Sequence, residues 1–137
     1  MNAAPAVVVR GLPQARAALA LGLPVTLLSA PGAALFAGCG WWRALIRTAR
    51  AEYPATPAAD ILDCADATGW ALEALRIGQL ALVLAAETPA RDAVSRIAAQ
   101  YGARLLADRP AALDPDLATE APLLRAWLRG DSGPGLG

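Results

Sequence analysis

The polar residues best suited to chemistry in this 137-residue chain follow one apolar run. Asp63 and Asp66 can converge if the chain turns after Cys64, and two carboxylates at a strand end can hold Mg²⁺ together with a substrate phosphate. In the alternative interpretation, Asp66 caps the following helix and Asp63 accepts hydrogen bonds from loop amides. We favour this alternative because phosphoryl transfer also needs a cation, which only Arg10 or Arg109 could supply.

Cys64 precedes a helix N-terminus, whose amides lower a thiol pKa and so favour the nucleophilic thiolate. Asp63 and Asp66 beside it oppose thiolate formation, so we expect a buried, inert cysteine. Cys39 lies 25 positions earlier, a spacing that fits neither a disulfide framework nor a CxxC pair. Two reduced thiols predict a cytoplasmic protein.

Hydroxyls and free helix amides at the strand ends favour a small anionic ligand, such as phosphate or a carboxylate. Ordinary helix capping explains the same residues, and neither GxGxxG nor GxxxxGK[ST] occurs in the chain. The candidate ligand-binding residues are Arg10, Ser29, Gly32, Asp63, Cys64, Asp66, Thr68 and Thr88.

The composition restricts what these residues could catalyse. All 12 basic residues are arginine, so the chain has no lysine or histidine to act as a base, nucleophile or imidazole ligand. No loop side chain has an ordinary pKa near neutrality, and no cofactor is evident from the sequence. We therefore favour a non-catalytic binding or regulatory module, with a small strand-end enzyme or anion-binding domain as the alternative.

Charge and hydropathy indicate which classes of partner the chain could bind. The formal net charge is zero and 56% of residues are hydrophobic, which favours self-association into a homo-oligomer. The absence of a basic stripe argues against nucleic acid. Residues 17–42 carry no charge and are long enough to span a bilayer, but Pro24, Pro31 and several glycines favour separate short elements.

A weak repeat of helix, glycine and strand predicts the elements that position the loops. The predicted strands are 6–10, 25–29, 60–64, 80–85 and 104–107. The predicted helices are 13–21, 32–50 with a possible break at 38–40, 67–77, 89–101 and 120–129. Thr88 is the predicted N-cap of the fourth helix, with Pro89 at its first position.

Near-continuous apolar strands that alternate with helices indicate a parallel sheet covered by helices. We predict a three-layer, doubly wound α/β fold with a mostly parallel, five-stranded sheet and a C-terminal helix. The pattern resembles the flavodoxin-like or Rossmann-like groups, and also fragments of (βα) barrels, at the level of fold alone. The predicted organisation is an α/β domain at 1–107, a loop and helix at 108–129, and a disordered tail at 130–137.

Four apolar residues are candidate interface contacts. Adjacent tryptophans on a helix point about 100° apart, so Trp41 and Trp42 can hardly enter one core. We expect one to pack inside and the other to lie at a pocket mouth or subunit contact. Trp127 and Leu128 share an apolar face of the last helix, which either closes the flank of the sheet or docks on a partner.

Overall fold

The fold was analysed in a computed structural model, which describes residues 3–115 and 121–130. It is an α/β fold with a six-stranded, all-parallel sheet in the order β5-β4-β3-β2-β1-β6. The strands are β1 (Ala6–Val9), β2 (Val25–Ser29), β3 (Ala58–Asp63), β4 (Ala81–Val83), β5 (Arg104–Leu106) and β6 (Ala112–Leu113). The helices are α1 (Leu12–Ala20), α2 (Ala33–Phe36), α3 (Cys39–Glu52), α4 (Thr68–Arg76), α5 (Arg91–Gln100) and α6 (Ala121–Leu128).

Local sequence explains most of these elements. Every residue of β1 and β2 is buried, as their largely apolar sequences predict. Gly22 and Gly78 follow helices with φ of +71° and +100°, a left-handed conformation that is costly for residues with a Cβ. Gly38 separates α2 from α3, so the predicted break in the second helix is confirmed.

The described residues belong to two compact units. Unit 1 combines Met1–Leu28, Leu45–Ala59 and Pro110–Gly137, and unit 2 combines Ser29–Ala44 with Asp60–Arg109. In unit 1, the fully buried Val7, Val9 and Leu19 form part of the core. In unit 2, α4 packs on α5 and α5 packs on β5, with fully buried leucines such as Leu62, Leu82 and Leu84 beneath them.

The structure corrects one expectation about the fold and leaves two others unconfirmed. The sheet has six strands rather than five, because β6 forms after residue 107 and pairs with β1 through Ala6–Ala112 and Val7–Leu113. The doubly wound assignment is not confirmed, since the observed order differs from both the flavodoxin and the Rossmann orders. The division at residue 107 stays a prediction. Of the predicted disordered tail at 130–137, Gly130 is described, with φ of +81°, and the remaining residues lie outside the described part of the chain.

No helix in the described ranges is long and apolar enough to cross a membrane.

Candidate functional site

A closed polar network joins the ends of two strands in unit 2. Ser29, which ends β2, is fully buried, and its Oγ accepts the Asp63 N–H at 2.9 Å. Asp63, which ends β3 and is 3% exposed, accepts the Ala65 N–H through Oδ1 at 2.7 Å. Arg109 Nη1 donates to Asp63 Oδ2 at 2.8 Å and also to the Ser29 carbonyl at 3.0 Å. We call Ser29, Asp63 and Arg109 the strand-end cluster.

The strand-end cluster satisfies its own polar groups. Ser29 Oγ donates to the Ala30 carbonyl at 3.0 Å, so this hydroxyl both gives and accepts a hydrogen bond. Each Asp63 carboxylate oxygen has a protein donor. Because a buried carboxylate without such partners would be strongly unfavourable, the network accounts for the burial of Asp63. The hydrogen bonds of the cluster link the ends of β2 and β3 to the segment that contains Arg109.

Asp63 and Asp66 differ in their surroundings. Asp66 is exposed and makes no hydrogen bond or ion pair with the described residues. It does not cap α4 either, because Ala67 occupies the N-cap position without a side-chain hydrogen bond. Among the described residues, no group of three or more acidic, cysteine or histidine side chains could hold a metal ion.

Thr68 and Thr88 lie close to the N-termini of α4 and α5. Thr68 Oγ1 donates to the Pro89 carbonyl at 2.9 Å and so links the β3–α4 and β4–α5 loops. Helix α5 begins at Arg91 rather than at Pro89, with Ala90 as its N-cap, so the prediction that Thr88 caps it is wrong. Thr88 is 5% exposed, and its hydroxyl has no hydrogen-bond partner within the described structure.

Two alanines adopt left-handed backbone conformations at the carboxyl ends of neighbouring strands. Ala65, after β3, has φ of +51°, and Ala90, before α5, has φ of +62°. Such conformations cost a residue with a Cβ about 1–2 kcal/mol. The same loops are held by hydrogen bonds, including Ala85 N–H to the Ala65 carbonyl at 2.8 Å. Gly32 adopts φ of +64° at the start of α2 and lies near Ala65.

Both cysteines are buried in unit 2, and neither is an activated nucleophile. The pKa of the Cys64 thiol is raised to about 12, mainly because the thiol is buried. The nearby Cys39 and Asp63 raise it further through electrostatic repulsion of the thiolate. Burial also raises the pKa of Cys39, whose Sγ lies 3.5 Å from the Trp70 carbonyl as a weak donor. Both thiols therefore stay protonated near neutral pH, as the sequence predicts for Cys64.

Arg10 belongs to unit 1, where it pairs with Asp114. The guanidinium donates to both carboxylate oxygens, at 2.6 and 3.0 Å, directly after the paired strands β1 and β6. Strand order reverses between β1 and β6, the place where ligands enter many open parallel sheets. In this chain the bidentate ion pair between Arg10 and Asp114 joins the carboxyl ends of these two strands.

The adjacent tryptophans separate as predicted: Trp42 is fully buried and Trp41 is 36% exposed. Trp42 Nε1 donates to Asp60 Oδ2 at 2.9 Å, and Gln79 Nε2 donates to the same oxygen at 2.8 Å. Arg43 Nη1 lies 3.6 Å from that oxygen. Sequence reasoning did not assign a role to Asp60, in the middle of β3, or to the buried Gln79, just before β4, because neither lies in a loop at the carboxyl end of a strand.

An exposed apolar surface lies on α2, the first turn of α3 and the first turn of α4. The contact between α2 and α4, and the Cys39–Trp70 hydrogen bond, make these segments neighbours. We call Leu35, Phe36, Trp41 and Trp70 the α2–α4 apolar surface; their exposed fractions are 44%, 72%, 36% and 42%. Of these, the sequence singled out Trp41 alone, although the absence of charge around Phe36 was a usable signal.

The last helix packs on its own unit. Trp127 Nε1 donates to the Ala6 carbonyl at 2.7 Å, and Leu128 is 5% exposed. Leu128 is therefore too buried to serve as the surface contact that the sequence suggested. Trp127 also lines an open groove of about 260 Å³ with Ala3, Pro5 and Gly130.

Neither the comparison with protein-family models nor the search of curated proteins finds a match to this chain.

Proposed function

We propose that this chain is a non-catalytic binding module that associates, with itself first of all, through the α2–α4 apolar surface. The observation that carries this proposal is the exposure of Leu35, Phe36, Trp41 and Trp70 on three neighbouring segments of unit 2. Tryptophan is among the side chains that contribute most to protein interfaces. Exposed apolar side chains grouped on neighbouring segments are a feature of interaction sites.

The state of the polar groups argues against catalysis at the strand ends. Both carboxylate oxygens of Asp63 already accept hydrogen bonds, one from the Ala65 amide and one from Arg109, so this carboxylate is not available as a general base. Cys64 has a pKa of about 12 and therefore presents a thiol, not a thiolate. Both buried, reduced cysteines support a cytoplasmic location.

The proposal is tested by photo-crosslinking inside cells that produce the chain. A benzophenone side chain is placed at Phe36, which is 72% exposed on the surface, and, as a matched control, at Leu80, which is 62% exposed elsewhere in unit 2. We expect irradiation to give a discrete protein adduct from position 36 and none from position 80. Absence of any adduct from position 36, or equal adducts from both positions, contradicts the proposal.

A second candidate function is anion binding at the strand ends of unit 2. The strain stored at Ala65 and Ala90 favours it, because strained loops cluster at binding sites. The Arg109 side chain is 26% exposed and keeps donors beyond Nη1. Thermal unfolding in inorganic phosphate, against chloride at equal ionic strength, tests this candidate: a higher Tm in phosphate supports it, and an unchanged Tm removes it.

A further inference from the structure

We propose that the occupant of the α2–α4 apolar surface is a second copy of this chain, docked face to face about a two-fold axis. This inference rests on the proposed function and adds the partner and the geometry. In a two-fold contact the same patch is used by both copies, so the patch must complement itself. Charge and exposed area decide whether the α2–α4 apolar surface can complement itself.

The charge distribution favours a second copy. Residues 30–42, which include α2 and the first turn of α3, contain no charged side chain, and neither do residues 67–72 at the start of α4. Two such faces meet without like-charge repulsion and without leaving a buried charge unpaired. The whole chain also has a formal net charge of zero, so two copies do not repel each other at long range. A charged partner would find no complementary group in these segments.

The exposed area is consistent with the centre of a dimer interface. Applying the exposed fractions of 72%, 42%, 36% and 44% to side chains of roughly 200 Å² each gives about 400 Å² of apolar area. A stable interface buries about 800 Å² from each partner, with an apolar centre and a polar rim. The surface therefore supplies about half of one side, and the polar residues around it would supply the rest as the rim. Phe36 is the most exposed of the four and would be the anchor.

Sedimentation equilibrium of the purified chain and four matched samples tests the arrangement. Phe36→Asp and Phe36→Arg each place a charge on the surface, at a position that is 72% exposed. Leu80→Asp places a negative charge outside the surface, at a position that is 62% exposed. We expect a wild-type dimer, a dimer for Leu80→Asp, and at least about 30-fold weaker dimerisation for each Phe36 variant. Mixing the two Phe36 variants should restore a heterodimer, because the opposite charges then face each other. Circular dichroism verifies that each variant is folded.

Each result bears on the inference. A monomeric wild type, equal disruption by Leu80→Asp, or a mixture that stays monomeric overturns the face-to-face dimer. The crosslinking adduct separates this failure from failure of the proposed function. An adduct of twice the 14.0 kDa chain mass supports the second copy. An adduct of another mass alone overturns the dimer but retains a protein-binding surface, and no adduct from position 36 overturns both.

Discussion

Removing Arg109 tests the interpretation that the strand-end cluster holds loops in place. Arg109→Ala leaves the Asp63 carboxylate, which is 3% exposed, without its cation and deprives the Ser29 carbonyl of a donor. At 2.8 Å and an effective dielectric constant near 20, the lost Coulomb attraction is about 6 kcal/mol before solvation is counted. Because the Arg109 side chain is 26% exposed and part of this energy offsets desolvation, we expect a net loss of about 3–5 kcal/mol.

Urea unfolding followed by circular dichroism measures this loss as the change in the free energy of unfolding. Adding Asp63→Asn to Arg109→Ala removes the unpaired charge, so the double variant should be less destabilised than the sum of the two single variants. The matched control is Arg76→Ala, which removes an exposed arginine paired with Glu73 and should leave the unfolding midpoint unchanged. If Arg109→Ala costs less than about 1 kcal/mol, or the two single effects are additive, the ion pair does not hold these loops.

Three further perturbations test individual features. Ala65→Gly and Ala90→Gly each relieve a left-handed alanine and should stabilise the chain by up to about 1 kcal/mol in urea unfolding, whereas a loss of stability would contradict the strain argument. Trp42→Phe removes a donor from the buried Asp60 and should cost about 1–3 kcal/mol; an unchanged midpoint would show that this hydrogen bond contributes nothing. The pKa of Cys64 in the folded chain is raised to about 12, so the unfolded chain loses the thiol proton at lower pH than the folded chain. The free energy of unfolding should therefore fall as pH rises from the pKa of the unfolded thiol toward 12, by at most about 1.4 kcal/mol per pH unit. Cys64→Ala should lessen this fall. An identical alkaline profile for that variant would refute the assignment.

Hydrophobic patterning predicted most elements of the fold from the sequence. The long apolar runs of β1 and β2 and the glycines after α1 and α4 gave clear signals within two or three residues of the observed boundaries. Strand β6 gave none, because Ala112 and Leu113 are too few to show a period. Strand order could not be predicted either, since short local patterns do not encode which strands become neighbours.

The candidate site was predictable only in part. Ser29 and Asp63 were singled out because they end buried strands, and the structure does bring them together. Arg109 was named only as one of two arginines that could supply a cation there. Its specific pairing with Asp63 was not predictable, because the contact spans 46 positions and depends on the path of the chain after β5. The capping roles assigned to Asp66 and Thr88 were wrong because α4 and α5 each begin a residue or two later than the sequence signals suggested.

The α2–α4 apolar surface was missed for a physical reason. The sequence placed Phe36 in the helix predicted at 32–50, with a possible break at 38–40, and an uncharged, uniformly apolar segment does not indicate which of its residues face solvent. In the structure, α2 is a four-residue helix that buries Ala33 and Ala34 and leaves Leu35 and Phe36 exposed.

The central claim is that the α2–α4 apolar surface is a binding surface that a second copy covers. Amide hydrogen exchange, measured on peptides that span Ala33–Phe36 and Thr68–Arg76 as the protein concentration is raised, tests it most directly. The account predicts that protection of these two segments grows with concentration while that of Arg91–Gln100 stays constant. Exchange that is independent of concentration in both segments would contradict the claim.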